Sequence, residues 1–272
     1  MSGVGTWCVG RDGVVDHPAE GSGVAVEPAT VATGPSGPAG SRGGLDYYLV
    51  HPVGGPGAGP PTGILVEEFV YGADHVAVRL DSAGWLAGEP GWRGASGFSR
   101  AIRADAGVRG RIVPVERDGA DLLHRRLTGS GLPAEAALRG HLGAGPPLPT
   151  SPPLRLGGEV TPGYHDTRVY RVLFANALTP DGLAEVQRTW RMAIPDDAGH
   201  PQARVLGTAR LRVGDDAYTW EVRRVVAGAA WCLDVTVDLA GASDEGVAPV
   251  LRSLTATLRR QGLVPVTRER FS

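Results

Sequence analysis

The clearest pattern in the chain lies between residues 218 and 239, where apolar and polar side chains alternate. Trp231, Leu233, Val235, Val237 and Leu239 share one face of an extended segment, and Cys232, Asp234, Thr236 and Asp238 share the other. A period of two with one apolar face predicts a half-buried strand. Residues 217–226 alternate in the same way and predict its hairpin partner. Residues 203–213 predict a third strand, closed by the turn residues Gly214, Asp215 and Asp216. A further strand is expected over 167–175.

Two amphipathic helices flank this meander. Thr179 and Pro180 supply an N-cap and a first helical residue for a helix over 181–194, with Leu183, Val186, Trp190 and Ile194 on its buried side. The second helix, 247–261, carries an apolar stripe of Val247, Val250, Leu251, Leu254 and Leu258. Arg259 and Arg260 complement its C-terminal dipole, and Gly262 suits the residue that ends it. Residues 263–268 predict a last strand, at an edge because of Pro265. The expected order of the second half is β-α-β-β-β-α-β. The fold class is α+β: a mostly antiparallel sheet with helices packed on one face, a ferredoxin-like variant with one added strand.

The first half is less regular. A strand is expected over 45–53, then a hairpin with arms at 64–71 and 75–80 joined through Gly72, Ala73 and Asp74. Glu67 and Glu68, being adjacent, must point to opposite sides. Residues 85–96 read as a loop, 100–106 as either helix or strand, and 108–115 as a strand. Short helices are expected over 120–127 and 133–142, the first with Leu123 and Leu127 on one face and Leu122 beside them. Glycine and proline divide the chain into an N-terminal arm (1–43), an α+β subdomain (44–142), a linker (143–163) and a second α+β subdomain (164–272). Short strands are expected in the arm over 6–10 and 23–26.

Composition narrows the chemistry. The 272 residues carry a formal net charge of -2 and no lysine at all. A lysine Schiff base and a P-loop lysine are thereby excluded, and any anion must be bound by arginine forks, backbone amides or metal. The charge balance argues against nucleic acid as a partner. Cys8 and Cys232 form no metal motif, and the seven histidines show no ligand spacing, so neither a metal nor a cofactor is expected. With no visible signal peptide and no stretch long enough to span a membrane, a cytoplasmic location without membrane association is expected.

Three polar constellations are candidates for function. On the meander, Arg210, Arg212 and Arg223 can bind an anion while Asp234 or Asp238 acts on it; cross-strand pairing in a solvated sheet face explains the same residues. His165 and Asp166, at a strand entrance, are a candidate base pair, although adjacent side chains usually diverge. Glu67 or Glu68 with His75 and Arg79 in the first hairpin combine acid, base and anion-binding types. The stretch from Gly63 to Leu80 also resembles the central hairpin of ATP-grasp enzymes. That resemblance implies nucleotide contacts from Glu67 and Glu68 and aligns Asp74 with the acid after the turn. The family's nucleotide-binding lysines have no counterpart here.

The expectation is a protein that binds a small-molecule or peptide-like substrate, with cofactor-independent acid-base or lyase-type catalysis as one form of it. Whether it is an enzyme is left open. The lysine-free, glycine-rich composition fits a high-GC bacterium and a specialised biosynthetic pathway. The alternative is a non-catalytic interaction or assembly factor that engages a protein partner.

Overall fold

The computed structural model describes residues 41–150, 160–226 and 230–272. The fold is α+β and is built on two antiparallel sheets. The first contains β1 (Ser41–Arg42), β2 (Asp46–Val50), β3 (Gly63–Tyr71), β4 (Ala77–Leu86), β5 (Arg93–Gly94) and β6 (Ile112–Val115). Its order is β5-β4-β3-β2-β6, with β1 also paired to β3. Four helices accompany it: α1 (Ser96–Ala104), α2 (Ala106–Arg109), α3 (Arg117–Thr128) and α4 (Glu135–Arg139).

The second sheet contains β7 (Asp166–Ala175), β8 (Val205–Val213), β9 (Asp216–Val226), β10 (Ala230–Leu239) and β11 (Val264–Arg270), in the order β11-β7-β10-β9-β8. Helices α5 (Pro180–Thr189) and α6 (Val247–Arg260) complete it. The sequence-derived order β-α-β-β-β-α-β is the observed one. The added strand makes the central pair β7 and β10 antiparallel, with Val235 opposite both Tyr170 and Trp220.

The alternation of β10 places its apolar face in the main core. Leu233, Val235, Val237 and Leu239 pack with Tyr170, Phe174, Trp220 and Val222, and α6 covers them with Val247, Val250, Leu251, Leu254 and Leu258. α5 begins at the expected cap, where the Thr179 hydroxyl accepts from the Gly182 N–H at 3.0 Å. It ends earlier than its periodicity suggests. Arg191 adopts φ 48°, which turns the chain so that Met192 enters the core and Ile194 is left 55% exposed. Residues 190–194 therefore lie outside the helix, and Ala193 pairs with Thr208 of β8.

The two faces of the first sheet have different neighbours. Tyr47, Ile64 and Val66 pack under α3 and α4 with Ala120, Leu123, Leu132 and Leu138. α3 starts at Arg117 and turns Ala120, Leu123 and His124 inward; Leu127, expected on the same face as Leu123, is exposed, as is Leu122 beside them. The His124 ring packs on Trp85 with centroids 5.0 Å apart, so the stretch after residue 85 is anchored by an aromatic cluster. The ambiguous segment 100–106 is helical in its first part, within α1.

The proline-rich run is not simply a linker. Gly143 pairs with Ser82, and the Leu148 N–H donates to the Val78 carbonyl at 2.8 Å, so its first residues lie alongside β4. Gly145 is required there, because a Cβ would collide with the Leu80 carbonyl oxygen. Residues 151–159 of the run, and the arm with its expected strands over 6–10 and 23–26, lie outside the described residues.

The opposite face of the first sheet meets the second half. Tyr48 and Leu65 of the sheet pack with Phe98 and Ile102 of α1 and with Ala175 and Val264 of the second sheet. A buried ion pair reinforces the contact. Arg103 donates to both oxygens of Glu67 at 2.8 Å, and the Ser99 hydroxyl donates to Glu67 Oε1 at 2.5 Å. The same guanidinium donates through Nε to the Pro265 carbonyl of β11 at 2.9 Å. Removing one partner of a fully desolvated pair leaves the other charge stranded, at a cost of about 3–5 kcal/mol. Arg103→Met is therefore expected to lower stability by about that amount in urea unfolding, and adding Glu67→Leu is expected to restore much of it. A single-mutant loss under about 1 kcal/mol would show that the pair does not bear on stability.

Candidate functional site

The constellation proposed on the meander is a mutually paired surface. Arg171 of β7 holds Asp234 through two hydrogen bonds, 2.6 and 2.7 Å, and Arg223 reaches the same carboxylate at 3.1 Å. Asp238 accepts from the Thr167 hydroxyl at 2.8 Å, and Arg212 donates to the Tyr164 hydroxyl at 2.7 Å. Arg210 is exposed at the edge strand β8. His165 is exposed as well, while Asp166 accepts from Arg168 at 2.8 Å, a bond that holds its carboxyl below the ordinary range. His165 and Asp234 are not brought to a common recess, and none of the seven predicted side chains (Arg210, Arg212, Arg223, Asp234, Asp238, His165 and Asp166) lines the cavity described below.

The hairpin constellation is also taken apart. Glu67 is engaged by Arg103, and Glu68 is engaged by Arg139 at 2.9 Å. Arg79 pairs with Asp81 at 2.6 Å. Both glutamates are completely buried, so the nucleotide contacts that the ATP-grasp resemblance implies have no exposed carboxylate to make them. His75 alone of the predicted residues reaches a cavity.

That cavity, about 140 Å³, lies between the two halves. Gly43, Gly44, Asp46, Phe69, Tyr71 and His75 form its first-half wall. α6 supplies Ala248, Arg252, Thr255, Ala256 and Arg259, and the second sheet supplies Val172, Pro265, Thr267 and Arg268. Three local features build it. Phe69 and Tyr71 follow Leu65 and Glu67 at a spacing of two, which turns them toward the second half. Small side chains on α6, Ala248 and Ala256, leave space that the larger residues of its stripe fill elsewhere. His75 is brought in by a tight turn in which Asp74 and His75 both adopt φ 58°, and Arg270 holds the Asp74 carboxylate at 2.6 Å.

A β-bulge shapes the remaining wall. β11 pairs with β7 so that Val264 faces Ala175 and Pro265 faces Phe174, but Thr267, not Val266, faces Leu173. The shift of one residue places Arg268 opposite Val172, on the apolar face of the sheet. Regular alternation would have put it opposite Arg171 on the polar face. A bulge that re-aims one side chain is a recurrent device beside functional sites.

Arg268 is only 4% exposed, and its Nε has no hydrogen-bond partner. Among the described residues no carboxylate forms an ion pair with it. Its guanidinium carbon lies 4.1 Å from the centroid of the Tyr71 ring. Burial lowers its pKa and the charge of Arg252 acts in the same direction, yet a guanidine remains protonated near neutrality. The neighbouring Arg259 is in a different state. It pairs with Asp46 at 2.8 Å and lies 4.9 Å from the Tyr48 ring. Burial pushes the Asp46 carboxyl up, with Arg259 opposing it. The Thr267 hydroxyl is a second buried polar group without a partner.

Sequence reasoning missed this cluster for identifiable reasons. The sequence pairs Arg259 with Arg260 at the C-terminal dipole of α6 and does not separate them, but Arg259 is 6% exposed whereas Arg260 reaches outward toward Glu116. The spacing Leu251, Thr255, Arg259 places it near the packed stripe, and that was the available signal. For Arg268 simple alternation gives the wrong face.

Cys232 belongs to the polar sheet face but is nearly enclosed. Burial, reinforced by the Asp234 carboxylate, pushes its thiol up to about 11. The thiolate is the reactive form, so at pH 8 Cys232 in the folded protein is expected to resist a maleimide and to label only after unfolding. Peptide mapping of the labelled protein reads this site separately from Cys8. Rapid labelling of Cys232 under native conditions would contradict the enclosed geometry.

Compared with protein-family models, with curated proteins and with solved structures, the chain matches none of them.

Proposed function

We propose that this protein binds a small anionic molecule in the cavity between its two halves. The observation that carries the reading is Arg268: a buried, permanently charged fork that faces a cavity and has no carboxylate paired with it among the described residues. Desolvating an ion costs several kcal/mol even after the surroundings relax. A cation–π contact such as the one with Tyr71 returns about 2 kcal/mol or somewhat more when desolvated, less than a paired carboxylate would. The difference is a standing penalty in the empty protein, and an anion entering the cavity relieves it. Arg252, on the exposed side of the same cavity, adds attraction during entry. In a chain without lysine, arginine forks are the expected means of holding an anion.

The cavity also contains the elements of proton transfer. Asp46 has its pKa raised by burial, and the His75 imidazole faces the same space. Such groups beside a bound anion are the setting for cofactor-independent acid-base chemistry, and they make catalysis the natural extension of binding. The small-molecule reading is favoured over an assembly role because the unsatisfied charge lies inside the protein, where a macromolecular surface does not reach.

The test is to remove the charge while keeping the shape. Arg268→Met is expected to leave the ligand-free protein as stable as the parent or more so, because a desolvated charge disappears. The same variant is expected to lose the thermal stabilisation that a panel of small acids gives the parent. If the variant is instead strongly destabilised and no acid shifts the melting temperature of the parent, Arg268 is a structural group and the reading fails.

A further inference from the structure

The charges and the dimensions of the cavity restrict which anion it accepts. Within the enclosed part, Arg259 and Asp46 neutralise each other at 2.8 Å. Asp244, whose carboxylate lies 3.5 Å from His75 Nε2, is held by Arg168 at 2.5 Å. Arg252 is exposed, so solvent screens its charge. Among the described residues one enclosed positive charge, that of Arg268, therefore remains without a counter-ion. A monoanion balances it. A dianion such as hydrogen phosphate would leave an excess negative charge near the Asp46 carboxylate, which also lines the cavity.

The remaining wall is largely apolar: Phe69, Tyr71, Val172, Ala248 and Ala256 offer rings and methyl groups. The volume, about 140 Å³, is close to the roughly 150 Å³ of an apolar protein cavity that admits benzene. Resting on the anion-binding reading above, we propose that the ligand is a small monocarboxylic acid with an apolar body about the size of one six-membered ring. Its carboxylate is held by the Arg268 fork, and its body fills the space between Phe69, Val172 and the two alanines of α6. A planar guanidinium matches a carboxylate through two parallel hydrogen bonds, which fixes the orientation of the acid as well as its charge. The unpartnered Thr267 hydroxyl is available as a further donor.

Isothermal titration of the full chain at pH 7 tests the class, with benzoate and cyclohexanecarboxylate as probes and acetate, inorganic phosphate and benzamide as comparisons. The two ring acids are expected to bind at least tenfold more tightly than each of the three comparisons. Arg268→Met is expected to weaken benzoate at least tenfold, with the fold of the variant checked by circular dichroism. Ala256→Leu, which keeps the charge and fills the cavity, is expected to weaken benzoate more than acetate, reducing the ratio between them; Ala248→Leu serves the same purpose if the first variant does not fold. If acetate or phosphate matches benzoate and Arg268→Met abolishes that binding, the ligand class is wrong and anion binding stands. If none of the acids binds the parent protein at millimolar concentration, both readings fall.

Discussion

The ion pair between Arg103 and Glu67 is the constraint on which the two-part architecture depends. Glu67 lies on the face of β3 that the second half covers, completely removed from water. An ionised carboxylate there must be paired. Arg103 satisfies it with two donors and uses a third for the Pro265 carbonyl of β11. One guanidinium thus connects α1, the first sheet and the edge of the second. The guanidinium has five N–H donors in a rigid fork, so these distances relate the positions of all three elements. Pro265 is suited to the contact, because a residue without an N–H can still offer its carbonyl.

α6 is the other connection. Its apolar stripe packs on the second sheet, while Arg259 near its last turn reaches the first half. There it pairs with Asp46 and donates to the Tyr47 carbonyl at 3.3 Å. The helix is therefore packed on more than one side, and its alanines determine how much space is left beside Phe69 and Tyr71. The cavity is a consequence of this arrangement: large stripe residues where α6 meets the sheet, small ones where it passes Val172. Arg268 then differs from Arg103 and Arg259 in one respect. Each of those meets a carboxylate, and Arg268 meets an aromatic face and open volume.

The contrast with the polar face of the meander separates two uses of arginine. Around Asp234, cations and anions from β7, β9 and β10 meet across the strands, partly exposed, and such contacts contribute modestly. The grouping has the residue types of an active site without an enclosed space. In the cavity the polar groups are fewer, the dielectric is lower and a single unmatched charge has larger consequences.

Much of the fold was legible in the chain. Alternation in β10 and β9, the Thr179–Pro180 start of α5 and the stripe of α6 each follow from a local period that the backbone imposes, and each is present in the structure. What the tertiary structure decided depends on contacts distant in sequence. A one-residue bulge opposite β7 moved Arg268 from the polar face to the apolar one, and a positive φ at Arg191 sent Met192 inward in place of Ile194. The partners of Glu67 and Asp46 lie 36 and 213 positions away in the chain, at Arg103 and Arg259. Periodicity specifies which side of an element is apolar. It carries no information about which charged groups from separate elements meet, because that is set by how the elements pack.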